Sequence, residues 1–517
     1  MSIFSAFRRR PAARTAPKAR AGYEIVSAPY SANRRGFSVE QKGEDEILPT
    51  SGRNRLAAAG RDMMRNSPTR VAMDQQRRVN VVGTVGGKLY ASFPEGYADA
   101  ATAVMRYFNR VWAPRCEFTY GKNFNWLLKT VLTAEDVGGN VVLVFDDGVL
   151  TGGDGSGRIR GFEADEIANV SDADFAALFP AGYTQRGGFV YDNFGRFAGC
   201  FVSTTQRGAD VFERGKFLTL RADQPNWTVL GPMLRFNQGR AVAPLSSALA
   251  TAVDLHEILS SETLAAKFNA QLVGQIIRSV SDGEDQQYNP YSVTAAEGAA
   301  EDPDAERVKK ITLDHLRACG IRYQDMPEGV KMELLDTKRP NANMPAFVDF
   351  LTGLIGGTRG LARVYSTLKA QTSYTAFRGE QVMTWPSFEE AQKDLERDVC
   401  DWAARLAVAR AVRRGEIAAA LPDEWEYMLA WQWPKMREVS EKDAQGALAL
   451  KLQNGTTSLK RELGPGEVER IIAERKLEKA LFDDAGLIYP GTTTVSGEIV
   501  GGTEENQETQ EETPPNE

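Results

Sequence analysis

Three aspartates, two histidines, four cysteines and a glycine cluster are the residues from which this chain could build a chemical site, and their spacing limits what each can do. Asp146, Asp147 and Asp154 lie close together after an apolar run. Grouped carboxylates can hold a divalent cation, and a metal-dependent hydrolase acting on nucleic acid would use such a set. Asp-Asp-Gly after a strand is also ordinary turn chemistry, and the balance of residue types favours the turn, so no metal site is expected. His256 and His315 are the whole histidine supply, and neither falls in H-E-x-x-H or beside a cysteine pair. His256 lies in a long helical stretch and reads as a packing or interface residue. Cys116, Cys200, Cys319 and Cys400 have no C-x-x-C spacing, which argues against zinc and against a disulfide framework and fits synthesis in a reducing cytoplasm. No G-x-x-x-x-G-K-[ST] loop exists to cradle a nucleotide phosphate. Gly153, Gly155, Gly157 and Gly161 miss G-x-G-x-x-G and read as a hairpin tip, and Ser156 lacks the flanking glycines of a nucleophile elbow. These residues support no enzyme and call for no cofactor.

A different stretch, residues 341–385, changes character in an order that suggests mechanics rather than catalysis. Phe347, Phe350, Leu351, Leu354 and Ile355 recur at helical spacing and are expected on one face of a short helix. Gly356, Gly357 and Gly360 follow and are expected to act as a hinge, because glycine is costly in a helix and free to take positive φ. Tyr365, Ser366, Thr367, Leu368 and Lys369 then read as a polar loop, with a new helix starting near Thr372 or Ser373.

The elements around this stretch divide the chain. Its 517 residues suffice for roughly two to four domains. A net charge of −7 excludes a protein that grips polyanions over its whole surface. No run of about 18 apolar residues appears, and the N-terminal charges follow a very short apolar start, so neither a membrane span nor export is expected. Residues 1–22 are basic and 503–517 acidic, both expected to be disordered. Residues 52–83 read as two helices split by Asn66-Ser67-Pro68, with Arg53, Arg55, Arg61, Arg65, Arg70, Arg77 and Arg78 expected on solvated or ion-paired faces. Helices at 100–112 and 123–132, a buried strand at 141–145, and two strands around an Asp192-Asn193 turn within 188–203 make residues 52–240 α+β, with a mostly antiparallel sheet. From Pro244 to Gly274 the chain reads as one thin, alanine-rich helix of roughly 45 Å. An acidic insertion (281–306), a small hairpin around Met326-Pro327-Glu328-Gly329, a long helix opening at Pro386, and helices at 444–452 and 466–481 complete the reading.

In order and spacing, four stretches resemble the portal proteins of tailed double-stranded DNA phages, lambda type. They are RNRLAAAGRDMMRNSPTRVAMDQQRRVNVVG from Arg53, FNWLLKTVLTAEDVGGNVVLVF from Phe124 with Trp112 before it, LRFNQGRAVAPLSSALATAVDLHEILSSETLAAK from Leu234, and FVDFLTGLIGGTRGLARVYSTLKAQTSYTAFRGE from Phe347. Where the family often has an arginine-glycine pair before the long helix, this chain reads Gly239-Arg240-Ala241, and Tyr374-Thr375-Ala376-Phe377-Arg378 stands where it tends toward Tyr-Ser-Ser-Ala-Arg. The resemblance implies a helix-rich α+β portal fold, assembled as a ring of about twelve copies at one capsid vertex of the virion, with duplex DNA passing through it. It implies an arm (1–51), a wing (52–240), a first stem helix (241–274), a clip (275–338), a second stem helix (339–363), a tunnel-loop region (364–378), a crown (379–485) and a tail (486–517). The implied partners are terminase, head-tail connector proteins, and major capsid or scaffold protein; the implied place of synthesis is the host bacterial cytoplasm. Tyr365 to Lys369 would face the DNA, with Lys369 as the backbone contact. The alternatives are the hydrolase above and a non-portal connector or minor capsid protein.

Overall fold

Ser67 makes the first corner. Its hydroxyl accepts the amide of Arg70 at 3.4 Å, and Pro68 opens the next helix, so Thr50–Asn66 and Pro68–Val81 form as two helices at the expected break. The computed structural model describes residues 43–236, 238–271, 275–278, 330–333, 343–369, 373–436, 441–459, 462 and 467–487. The expectations for residues 1–22, the acidic insertion, the turn at 326–329 and the acidic tail lie outside them.

The Phe124–Gly138 helix is capped by Asn123, whose side-chain oxygen accepts the Trp126 amide, and Gly139 ends it at φ +83°. Its Leu127, Leu128, Val131 and Leu132 are buried. The chain then enters Val141–Phe145, an unbroken apolar run buried on both faces, paired antiparallel with Trp227–Leu230 and Ile159–Phe162. A second antiparallel sheet has the order Thr184–Arg186, Phe189–Tyr191, Phe197–Val202, Leu218–Arg221. The turn between its middle strands is held by Asp192, which accepts the amides of Phe194 and Arg196. The antiparallel α+β reading of this half is thus met, with one parallel pair, Asn169–Val170 on Val211–Phe212.

The largest apolar core runs from Met73, Phe108, Phe124 and Phe145 to Phe388, Val399, Trp402 and Trp431. Lys88–Ala91 also pairs antiparallel with Leu429–Gln432. Residues 379–436 therefore share one core with the described residues up to Phe145.

One helix boundary differs from the sequence reading. Pro386 does not open a helix; it lies inside Tyr374–Leu395. Proline removes one amide from the ladder, and the carbonyl that loses its partner belongs to Val382, an exposed position where water can replace it. The helix continues through a π segment, Glu396–Cys400, into Asp401–Arg413. Ser373 occupies the N-cap position of Tyr374–Leu395 without a side-chain cap bond, and Thr372 lies outside the described residues. Further on, Pro244–Ala248 and Leu249–Gln271 supply the expected long helix, and Val330–Glu333 pairs antiparallel with Gln275–Arg278.

Arg240, in the departure from the family pattern, is 1% exposed. Its guanidinium donates to the carbonyls of Ala164, Ile167 and Gly187 at 3.0–3.2 Å, tying the entry to the long helix onto both sheets. Methionine fills similar space without donors. Arg240→Met should leave two buried carbonyls and one half-buried carbonyl without this donor and lower stability by about 3 kcal/mol or more, read as a drop in the urea midpoint at unchanged slope.

Candidate functional site

The Met344–Gly357 helix does form, but its apolar side chains do not share one buried face. Leu351 and Ile355 pack inward, whereas Phe347, Phe350 and Leu354 are 49–59% exposed. The rings of Phe347 and Phe350 stack at 6.5 Å. The helix thus has an inner stripe against its own chain and an outer stripe facing solvent.

Two of the three glycines, Gly356 and Gly360, sit where backbone and side chains meet closely. A Cβ at Gly356 would overlap the Ser366 hydroxyl, which bonds the carbonyls of Leu361 and Ala362 at 3.3 and 3.1 Å. Gly360 has φ +68°, and a Cβ there would come within 2.9 Å of Ser387 Cβ. Gly357 has open space where its side chain would be.

Residues 365–367 are not the expected loop. Arg363–Thr367 is a short helix, closed by Leu368 in the left-handed region at φ +57°. Two acceptors on the Tyr374–Leu395 helix hold it: Glu380 Oε2 takes the Val364 amide at 2.6 Å, and Thr384 Oγ1 takes the Ala362 amide at 2.9 Å. Short-range periodicity could not reveal these side-chain acceptors. Ser366 is buried, whereas Leu368 and Lys369 are exposed. Asp349 accepts Arg363 at 2.7 Å and Lys369 Nζ at 2.9 Å. The Lys369 bond, helped by Arg363, holds the Asp349 carboxyl below the usual carboxylate range.

Arg359, in the turn, reaches away from this segment to Asp136 on the Phe124–Gly138 helix, 2.6 Å away. Asp136 has no exposed surface and also pairs with Arg70 at 3.2 Å and with Arg77. Burial alone would raise its pKa; the guanidiniums of Arg77, Arg359 and Arg70 outweigh that and hold the carboxyl low. Arg70 and Arg77, with Arg53, are thus ion-paired, one of the two states expected for this helix pair, but on a buried face rather than an exposed one. Their seven-residue spacing, two turns apart on one helix face, was the available signal for Asp136 and Arg359, which the sequence reading missed.

The carboxylate alternative fares differently. Both oxygens of Asp146 are spent on the amides of Gly148, Leu150, Thr151 and Ser156 and the hydroxyls of Thr151 and Ser156. Burial works against the charge, and these donors more than offset it, keeping the group ionised as a turn organiser. Asp147 accepts from Asn226, and Arg410 clamps the loop through the carbonyls of Asp154 and Gly155. Among the described residues no group of three His, Cys, Asp or Glu side chains could hold a metal ion. His256 is exposed on its helix.

Residues 31–392, well over half the chain and including Asp136, Arg359 and residues 365–369, match the family described as phage portal protein, lambda family. This chain belongs to that family. It is a structural, non-enzymatic component of a virion. Among solved structures, this portal-family chain is similar to one in the neck of an empty GTA particle computed with C6 symmetry, with 12% identity over 78% of this chain and 91% of that one at a TM-score of 0.45. It is also similar to a chain in the virion of a native gene transfer agent (GTA) particle, with 14% identity over 84% and 96% at 0.41. A third, in the neck of a native GTA particle computed with C12 symmetry, has 12% identity over 77% and 89% at 0.40. No curated protein matches.

Replacing Asp136 by asparagine leaves the three guanidiniums of the portal-family cluster without their anion, and should cost about 3–5 kcal/mol. The sign of the pH effect follows from the lowered folded pKa. Asp136 contributes stability above its unfolded pKa and loses it as pH falls through the lower folded value. The stability gap between wild type and Asp136→Asn should therefore be constant near neutrality and narrow below about pH 4, measured by denaturant titration across pH.

Proposed function

We propose that this chain assembles as a ring of about twelve copies at one capsid vertex and forms the channel through which the genome is packaged and ejected. The observation that carries this reading is the outer stripe of Phe347, Phe350 and Leu354. The Met344–Gly357 helix packs on Leu249–Gln271, which leaves its own Val253 and Leu264 more than half exposed. A single chain leaves this apolar surface in water; a ring of identical neighbours covers it. In this reading residues 52–240 are the wing, 241–274 and 339–363 the stem helices, 275–338 the clip, 364–378 the tunnel-loop region and 379–485 the crown. The arm (1–51) and the tail (486–517) flank these. Terminase and head-tail connector proteins dock at the clip end, and major capsid or scaffold protein surrounds the wing.

Lys369 is the residue that touches passing DNA. Its ion pair with Asp349 is exposed, and exposed pairs are worth at most about 1 kcal/mol, so a phosphate can take the cation over and release it again. Weak, isolated contacts suit a conduit, because every retained phosphate contact would add affinity and resist sliding. Gly356 and Gly360 fix the resting position of the segment by close packing, and Gly357, unopposed, lets it yield as DNA moves.

Native mass spectrometry with negative-stain images tests the reading. The wild type should give an assembly of about twelve 56.8 kDa chains with a central hole wide enough for duplex DNA. Phe350→Glu should abolish that assembly while the single chain keeps its thermal transition. A chain that stays monomeric and cleaves DNA when magnesium is added would overturn the proposal.

A further inference from the structure

On the edge of the two sheets lies an open groove of about 240 Å³, lined by Tyr191, Phe197, Val229, Met233 and Gln238. Apolar side chains beside its lining residues in sequence are bare. Phe194 and Leu234 are each 84% exposed, and Phe236 is fully exposed. Neither the stem pair nor the Asp136 cluster uses these residues. An apolar floor beside exposed apolar side chains marks a place where another segment sits.

We propose that the occupant is the chain's own N-terminal arm, with Phe37 and Val39 in the groove. The described chain begins at Gly43, and its first helix is fastened beside the groove: Asp45 accepts the amide of Gly239 at 2.9 Å and pairs with Arg53 at 3.0 Å. Gly239 follows Gln238 of the groove wall, and its carbonyl accepts the Tyr191 hydroxyl from the groove floor. Phe37 lies six positions before Gly43, a reach of roughly 20 Å when extended. In an extended segment Phe37 and Val39 project to the same side, with Ser38 to the other. A tether this short gives an effective concentration in the millimolar range, so the chain's own arm outcompetes a second copy of it. Docking there would also set where the basic stretch with Arg8, Arg9 and Arg10 leaves the surface.

Phe37→p-benzoylphenylalanine, a photocrosslinker of similar shape, tests this in the full chain. Assemblies formed from equal parts of light and heavy-isotope chains are irradiated and the joined peptides mapped. The result expected is joining of residue 37 to peptides within 189–197 or 229–238, in isotopically uniform pairs, with the yield falling at least fivefold in Met233→Asp. Joining mainly elsewhere, no joining, or mixed-isotope pairs in the groove would overturn the proposal, the last by showing that a neighbouring copy fills it.

Discussion

One buried carboxylate, Asp136, facing three guanidiniums is the interaction on which the rest of this structure depends. An unpaired charge in that position would cost several kcal/mol, and so would each arginine left without an anion. The partners come from three separated parts of the chain: Arg70 and Arg77 from Pro68–Val81, Asp136 from Phe124–Gly138, and Arg359 from the turn after the Met344–Gly357 helix. Satisfying one charge therefore fixes the position of residues 343–369 against the first half of the molecule. Apolar burial alone would not do this, because much of the surface of the Met344–Gly357 helix faces outward.

The same logic appears at two other junctions. Arg240 meets buried carbonyls where the sheets hand over to the long helix, and Arg410 meets the carbonyls of the hairpin tip that Asp146 organises. In each place a guanidinium with several fixed donors holds irregular backbone that offers little apolar area. The regular elements are then free to present apolar side chains outward, as the helix pair does with Phe350 and Leu264. A subunit that must join neighbours and let a rod of charge slide past needs both: internal polar ties that keep its shape, and outer faces reserved for contact.

What could be read from the sequence was what repeats locally. The Ser67-Pro68 break, the unbroken run of Val141–Phe145, and the proline start of the long helix at Pro244 are signals within a few residues, and each element forms where those signals place it. Pro386 misled because a helix tolerates a missing amide where the orphan carbonyl reaches water. Arg70 and Arg77 misled because charge reads as exposure, while their burial is decided by Asp136, 59 or more positions away. Arg363–Thr367 was hidden for a related reason: its amides are satisfied by Glu380 and Thr384 on a later helix, which no local period encodes. Family resemblance located the segment; only the fold shows what restrains it.

Hydrogen exchange measured residue by residue on Arg359→Met tests the central claim most directly, because this substitution cuts the tie to Asp136 while leaving that carboxylate Arg70 and Arg77. The account predicts that the amides of Ala362 and Val364 exchange about tenfold faster or more, with those of the Asp401–Arg413 helix unchanged. Equal protection of Ala362 and Val364 in both proteins, or an even loss of protection across the whole chain, would contradict it.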